Sequence, residues 1–310
     1  MTTIEQSIQD YLALRRNLGF KLRDAGLCLA KFAVFMEARS AAHITVALAL
    51  EWAQQSPSMQ PATCAQRLGY VRGFARYHVA SDPHTEIPPT GLLPFRPSRA
   101  QPYLYSEEDI AGLLQCALEL PTAGGLRPWT YHCLLGLLSV TGLRIGEAIR
   151  LKAEDVDLHA GVLTVRGTKF GKSRLVTIHP STGDVLEQYR ARRESFLAGR
   201  TALTFFITSR GNHLDIGDIH RTFYLLSRRL GLRGATASHG PRLHDFRHRF
   251  AVQTLLRWYR SGEDVERRMP MLSTYLGHVH VADTYWYLSA CPELMGLAVA
   301  RLEQRWGDLP

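Results

Sequence analysis

The sequence predicts a mainly α-helical protein with a small antiparallel β-sheet, divided into two domains. Three observations predict it. Apolar residues recur at helical spacing through residues 1–80 and again through most of 103–310. Only two short segments, 162–165 and 174–178, alternate apolar and polar side chains, and a polar, glycine-bearing loop lies between them. A proline-rich stretch at 81–102 separates the two helical regions.

Each element has its own signal. Ile4, Ile8, Tyr11, Leu12 and Leu14 fall on one helical stripe that ends at Gly19, and Leu22, Leu27, Leu29, Phe32, Phe35 and Met36 form a second. A third stripe covers 44–52 and stops at Ser56-Pro57; a fourth starts near Pro61 and carries Leu68, Val71, Phe74 and Ala75. This spacing predicts a small helical bundle over 1–80. Residues 81–102, with Pro83, Pro88, Pro89, Pro94, Pro97 and Pro102 and the basic Arg96 and Arg99, cannot continue a helix and read as an extended linker. The domain at 103–310 opens with Ser106-Glu107-Glu108-Asp109, a capping box ahead of Ile110, Leu113 and Leu114. Helical patterns follow at 129–140, 185–197, 216–230, 243–258 and 294–306. The two alternating segments around Gly167–Ser173 read as a β-hairpin. No internal repeat or low-complexity tract is present.

The chain has 310 residues, 45% hydrophobic and 21% charged, which suits packed domains rather than disorder. Lys and Arg number 37 against 28 Asp and Glu, a net charge of +9. That excess fits a polyanionic partner such as nucleic acid, and equally a merely basic protein. The longest apolar run, 134–143, is about half the length of a bilayer span, so no membrane is expected. The first residues lack a basic region followed by an apolar core, so no secretory signal is expected either, and the reading is cytoplasmic. Cys28, Cys64, Cys116, Cys133 and Cys291 are odd in number and scattered without a C-x-x-C pair. They suit buried thiols better than a disulfide framework or a zinc site.

Four clusters carry chemistry. In Thr141-Gly142-Leu143-Arg144-Ile145-Gly146-Glu147 an apolar helix ends at glycine, and one turn of helix would bring Arg144 to Glu147. The plainer alternative is a surface ion pair. The hairpin tip holds Lys169 and Lys172, with Arg174 just beyond. Gly171-Lys172-Ser173 imitates the end of a phosphate-binding loop, but Arg166 stands where its first glycine belongs and a strand follows, so a nucleotide site is rejected. A basic hairpin tip can lie on a DNA backbone, or simply be a solvated turn. In His244-Asp245-Phe246-Arg247-His248 the two histidines are spaced like zinc ligands, but Asp245 is shorter than the glutamate that such a site uses, and Arg247 adds a cation. His244 and Arg247, one turn apart, better suit anionic oxygens such as those of a phosphodiester. Last, Leu276-Gly277-His278 precedes Tyr285 and Tyr287. A tyrosine there can equally be a core ring. No hydrolase elbow, dinucleotide motif or carboxylate cluster for Mg²⁺ occurs, so neither metal nor cofactor is expected.

Taken in order, T-G-L-R-I-G-E at 141–147, T-K-F-G-K-S-R at 168–174, H-D-F-R-H at 244–248, L-G-H at 276–278 and the closing Tyr287 resemble the tyrosine recombinase (phage integrase) family. The resemblance covers most of the chain. It implies a helical DNA-binding core domain at 1–80, a linker at 81–102 and a recombinase-like catalytic domain at 103–310. It further implies a site-specific recombinase, integrase- or transposase-like, that cuts and rejoins double-stranded DNA through a 3′-phosphotyrosyl intermediate without metal or ATP. Arg144 and Arg247 would hold the scissile phosphate. Lys169 would be the general acid and Tyr287 the nucleophile. His244 and His278 would donate to phosphate oxygens or handle the tyrosine proton, and Glu147 would orient the site. The spacing from His278 favours Tyr287 over Tyr285. His278 lies 34 positions after His244, longer than usual in the family, with the extra residues at 257–268 expected as a lengthened loop or helix.

Arg67, Arg72, Arg76, Lys172 and Arg174 are the candidate DNA-backbone contacts; for the first three a solvated helix face is an equal reading. The two domains are expected to clamp duplex DNA and to assemble as a tetramer on paired sites at the nucleoid. The tail stripe Leu294, Leu297, Ala298 and Leu302 could dock on a neighbouring copy or on its own core. The bundle begins near residue 4, so no further N-terminal DNA-binding domain is expected. The alternatives are a type IB topoisomerase-like relaxing activity and a non-catalytic DNA-binding protein on the same fold. Target sequence, accessory proteins and the direction of recombination are not encoded in these motifs.

Overall fold

The computed structural model describes residues 3–93, 101–122, 125–167, 173–237, 239–289 and 291–307. The chain forms two compact units, Met1–Ala100 and Gln101–Pro310.

The first unit packs α1 (Ile4–Asn17), α2 (Arg23–Ala38), α3 (Val46–Ala53) and α4 (Pro61–His78). The hydroxyls of Thr3 and Thr45 accept from Gln6 N and Leu48 N and so cap α1 and α3, while Pro61 occupies the first turn of α4. Ile8, Leu29, Phe32, Trp52, Val71 and Phe74 fill its core. The segment that reads as linker is fastened to this bundle over its first half. Glu86 N donates to Ile44 O (2.7 Å), Glu86 Oε2 accepts from Val46 N (2.6 Å), and Leu93 packs on the core. Pro94, Pro97, Arg96 and Arg99 lie outside the described residues.

The second unit runs α5 (Glu107–Leu118), α6 (Arg127–Thr141), α7 (Ile145–Ala148), β1 (Val156–Asp157), β2 (Val162–Val165), β3 (Arg174–Thr177), α8 (Pro180–Leu197), α9 (Ile216–Arg229), α10 (Asp245–Arg260), α11 (Val265–Leu276), α12 (Ala282–Tyr285) and α13 (Pro292–Gly307). The capping box at Ser106 and Asp109 forms as its residues predict. The sheet is antiparallel in the order β1-β2-β3, one strand more than the sequence suggested, because a two-residue strand is too short to show alternation. Leu163 pairs with Val176, and both face the core. One core gathers Leu134, Leu138, Leu163, Phe223 and Phe246; a second gathers Val252, Leu255, Met269, Leu276, Tyr287 and Leu294. Helix α10 contributes Phe246 to the first and Val252 to the second, so Arg247 lies where the two meet. Residues 257–268, expected as a lengthened loop or helix, form the end of α10, a turn and the start of α11. Helix α13 lays Leu294 and Leu297 on its own unit, but Leu302 of that stripe is exposed, together with Met295, Val299 and Trp306. Among the described residues no helix is long and apolar enough to cross a membrane.

Candidate active site

Two glycines set the geometry. Helix α6 ends because Gly142 takes φ +61°, and a Cβ there would stand 2.8 Å from the Phe250 ring. Helix α11 ends the same way at Gly277, φ +71°, where a Cβ would stand 2.7 Å from Nη1 of Arg174. Both helix ends aim carbonyls at Arg247. Its Nη1 donates to Gly142 O (2.9 Å) and its Nη2 to Leu276 O (2.6 Å). The guanidinium, 1% exposed, is thus held at the negative ends of two helices. Burial lowers its pKa to about 10; Tyr287 raises it, and the Arg144 charge lowers it further. A guanidinium still carries its charge there, and it retains further N–H groups beyond the two used on carbonyls.

Arg144 is the N-cap residue of α7, which is the helical turn that its spacing from Glu147 implies. Its Nη1 donates to Glu147 Oε1 (2.9 Å) and its backbone N–H to Oε2 (3.1 Å). Glu147 is 5% exposed and also receives Nη1 and Nη2 of Arg174 at 3.2 and 2.9 Å. Burial pushes its pKa up, but hydrogen bonds and charge from Arg174, then Arg144, outweigh that and hold it at about 2. Two guanidiniums therefore share one carboxylate, and with Arg247 the cluster keeps positive charge for an anion.

The imidazoles are kept neutral. Burial, then the Arg247 and Arg144 charges, bring His278 to about 4, and the same three causes lower His244. His278 Nδ1 bonds Thr284 Oγ1 at 2.8 Å, which fixes the ring, and the ring stacks on Tyr287 with centroids 5.9 Å apart. Tyr287 is 3% exposed and also meets His248 edge-on at 5.4 Å; Tyr285 is 49% exposed. His244 and Arg144 reach solvent, so the cluster opens on their side.

Arg144, Glu147, Arg247, His278 and Tyr287 are brought together, and His244 sits at their rim. Lys169 and Lys172 lie outside the described residues. Three of the candidate DNA contacts are occupied within the protein. Arg174 is 9% exposed in its side chain and bonds Glu147 and Tyr275 O. Arg67 lies 4.0 Å over the Trp52 ring and donates to Trp52 O. Arg72 donates to Pro88 O and Pro89 O, both at 2.7 Å. Sequence spacing could not reveal this, because their acceptors are carbonyls and a carboxylate from other segments. Arg76 is exposed on α4. Thr284 and His248 were missed: a threonine without a motif carries no signal, and His248 was weighed only as a zinc ligand. The described residues contain no group of His, Cys, Asp and Glu suited to a metal.

The model of the phage integrase family matches residues 107–293. A Sinorhizobium fredii (strain NBRC 101917 / NGR234) protein named "Putative integrase/recombinase y4rB" is 62% identical over 99% of both chains. The tyrosine recombinase XerD of Ralstonia nicotianae (strain ATCC BAA-1114 / GMI1000) is 33% identical over 70% of this chain and 64% of its own. The Tn1549 transposon integrase, solved in complex with transposon right end DNA, shares the fold with a TM-score of 0.67 over 97% of this chain and 99% of that one, at 15% identity. With this family model over more than half of its length and a relative 62% identical along the whole chain, the chain belongs to the phage integrase family, the tyrosine recombinases.

Proposed function

We propose that this protein is a site-specific recombinase that cuts and rejoins duplex DNA through a 3′-phosphotyrosyl intermediate on Tyr287. One observation supports this above the others: Tyr287 is buried with its ring stacked on His278, while Tyr285 faces solvent.

In this reading Arg144 and Arg247 grip the scissile phosphate and stabilise the charge that builds as five oxygens crowd the phosphorus. The Tyr287 oxygen attacks phosphorus and the P–O5′ bond breaks. The 5′-oxygen leaves as a hydroxyl with a proton from Lys169. His244 and His278, neutral at physiological pH, donate an N–H to phosphate oxygens or take up the tyrosine proton. The ester that forms retains the energy of the phosphodiester, so rejoining is the reverse attack by a 5′-hydroxyl. No cofactor enters the scheme.

Residues 103–310 act as the catalytic domain and 1–80 as a DNA-gripping domain, with the exposed Arg76 on its surface. Binding on the DNA backbone weakens steeply with salt. Assembly as a tetramer on paired sites at the nucleoid completes the reading; the exposed row Met295, Val299, Leu302 and Trp306 on α13 supports contact between copies.

The test is a nicked suicide duplex drawn from the gene's own genomic surroundings. Wild type and Tyr285→Phe form a covalent adduct, and Tyr287→Phe binds but forms none. A full yield of adduct with Tyr287→Phe overturns the assignment. Relaxation of supercoils without site preference points to the topoisomerase reading instead.

A further inference from the structure

Arg174 looks in the sequence like one more cation of a basic hairpin. In the fold its guanidinium joins three segments that lie far apart along the chain. Nε donates to Tyr275 O in α11 at 2.7 Å. Nη1 and Nη2 form a fork on the two oxygens of Glu147 in α7. The base of the side chain belongs to β3, the strand that follows the hairpin tip. Gly277 is part of the same fit, since any Cβ there would collide with Nη1 and the central carbon of the guanidinium, at 2.7 and 2.9 Å. The residue after Gly277 is His278.

We infer that Arg174 is a positioning residue for DNA cleavage, clamping Glu147 against the end of α11 so that Arg144 and His278 stand at the separation the scissile phosphate needs. The inference rests on the recombinase reading above.

The physical reason is the division of one carboxylate between two arginines. Oε1 accepts from Nη1 of Arg144 and Nη1 of Arg174; Oε2 accepts from the Arg144 backbone and Nη2 of Arg174. The charged groups that face Glu147 are Arg174 from β3, Arg144 from α7 and Arg247 from α10. Without Arg174 a buried carboxylate keeps one direct partner. It then takes up a proton or closes wholly onto Arg144, and either response moves the Arg144 guanidinium. The Tyr275 carbonyl and the turn before His278 lose their tie at the same time. Lysine cannot replace this contact, because one ammonium does not span two carboxylate oxygens and a carbonyl.

The experiment measures single-turnover adduct formation on the suicide duplex for wild type, Arg174→Gln, Arg174→Lys, Glu147→Gln and the double variant Arg174→Gln/Glu147→Gln. Gel shift in a Tyr287→Phe background reports DNA binding, and circular dichroism reports folding. The expected result is a loss of about 100-fold in rate for Arg174→Gln, in line with the cost of a small misplacement of a catalytic group. DNA affinity stays within about threefold, and Arg174→Lys recovers only part of the rate. The double variant is no slower than Glu147→Gln, since Arg174 acts through Glu147. Arg174→Gln also loses rate more steeply than wild type as the pH falls, because Glu147 has lost the partner that does most to hold its pKa down; a general loosening would lower the rate equally at every pH. Wild-type rates for Arg174→Gln, with a normal wild-type adduct, overturn the inference and leave the recombinase reading intact. Losses that multiply in the double variant also overturn it, placing Arg174 on the DNA itself. If Arg174→Gln does not fold, the same comparison is made with Arg174→Lys, and an undiminished rate there is equally fatal. Failure of the wild type to form any adduct overturns the recombinase reading and this inference together.

Discussion

The rings of His278 and Tyr287 lie nearly parallel, 18° between planes and 5.9 Å between centroids, although nine positions separate them. The short α12 and the 3-10 turn Trp286–Ser289 fold the chain back to produce this stack. Thr284, fully buried, ties the histidine from within that fold.

Thr284→Val keeps the volume and removes the hydroxyl from His278 Nδ1. A net hydrogen bond of about 1 kcal/mol corresponds to a rate loss of roughly 3- to 10-fold. Adduct formation slows by that amount, while binding to uncleaved DNA is unchanged. Equal rates for the variant and wild type would show that the ring needs no such anchor.

Gly277→Ala forces a side chain into a left-handed backbone and into the Arg174 guanidinium. The backbone alone costs about 1–2 kcal/mol. The variant melts lower than wild type and cleaves more slowly still, because the residue it displaces holds Glu147. Thermal melting and adduct yield, measured together, check this; a variant that melts and cleaves as wild type refutes it.

Arg247→Lys retains charge but offers one donor centre to the two carbonyls of Gly142 and Leu276. One buried carbonyl loses its partner, at about 1–3 kcal/mol. Cleavage falls more than 100-fold, as expected when a fixed planar donor to the transition state is lost. Denaturant unfolding reads the first effect and single-turnover kinetics the second. A variant retaining a tenth or more of the wild-type rate contradicts the role given to the fork.

The pH dependence of stability follows from the buried imidazoles. Burial, with His244 for His248 and Arg247 for His278, lowers both to about 4 from an ordinary 6.5. Between these values the unfolded chain binds protons that the folded protein does not. Their contribution is therefore complete above pH 6.5 and drains away as the pH falls towards 4. The melting temperature drops across that window, and His278→Gln makes the drop shallower. A melting temperature that stays level from pH 7 to pH 4.5 would count against neutral, buried histidines.

The sequence by itself determined the helical class, the hairpin and the motif residues. Periodicity is local, and the motif's arginines and histidines fall in a set order along the sequence. It also brought Arg144 to Glu147, because three residues make nearly one helical turn. Tertiary structure alone decided which cations are available. Arg67, Arg72 and Arg174 look alike in a string of letters, yet their guanidiniums meet Trp52, the carbonyls of Pro88 and Pro89, and Glu147 across long stretches of chain. It also set the surroundings of Tyr285 and Tyr287, which differ by two positions: the first, at the end of α12, is half-exposed, and the second is buried and packed on His278. Hydrogen bonds and burial depend on what arrives from elsewhere in the chain, and no local pattern specifies that.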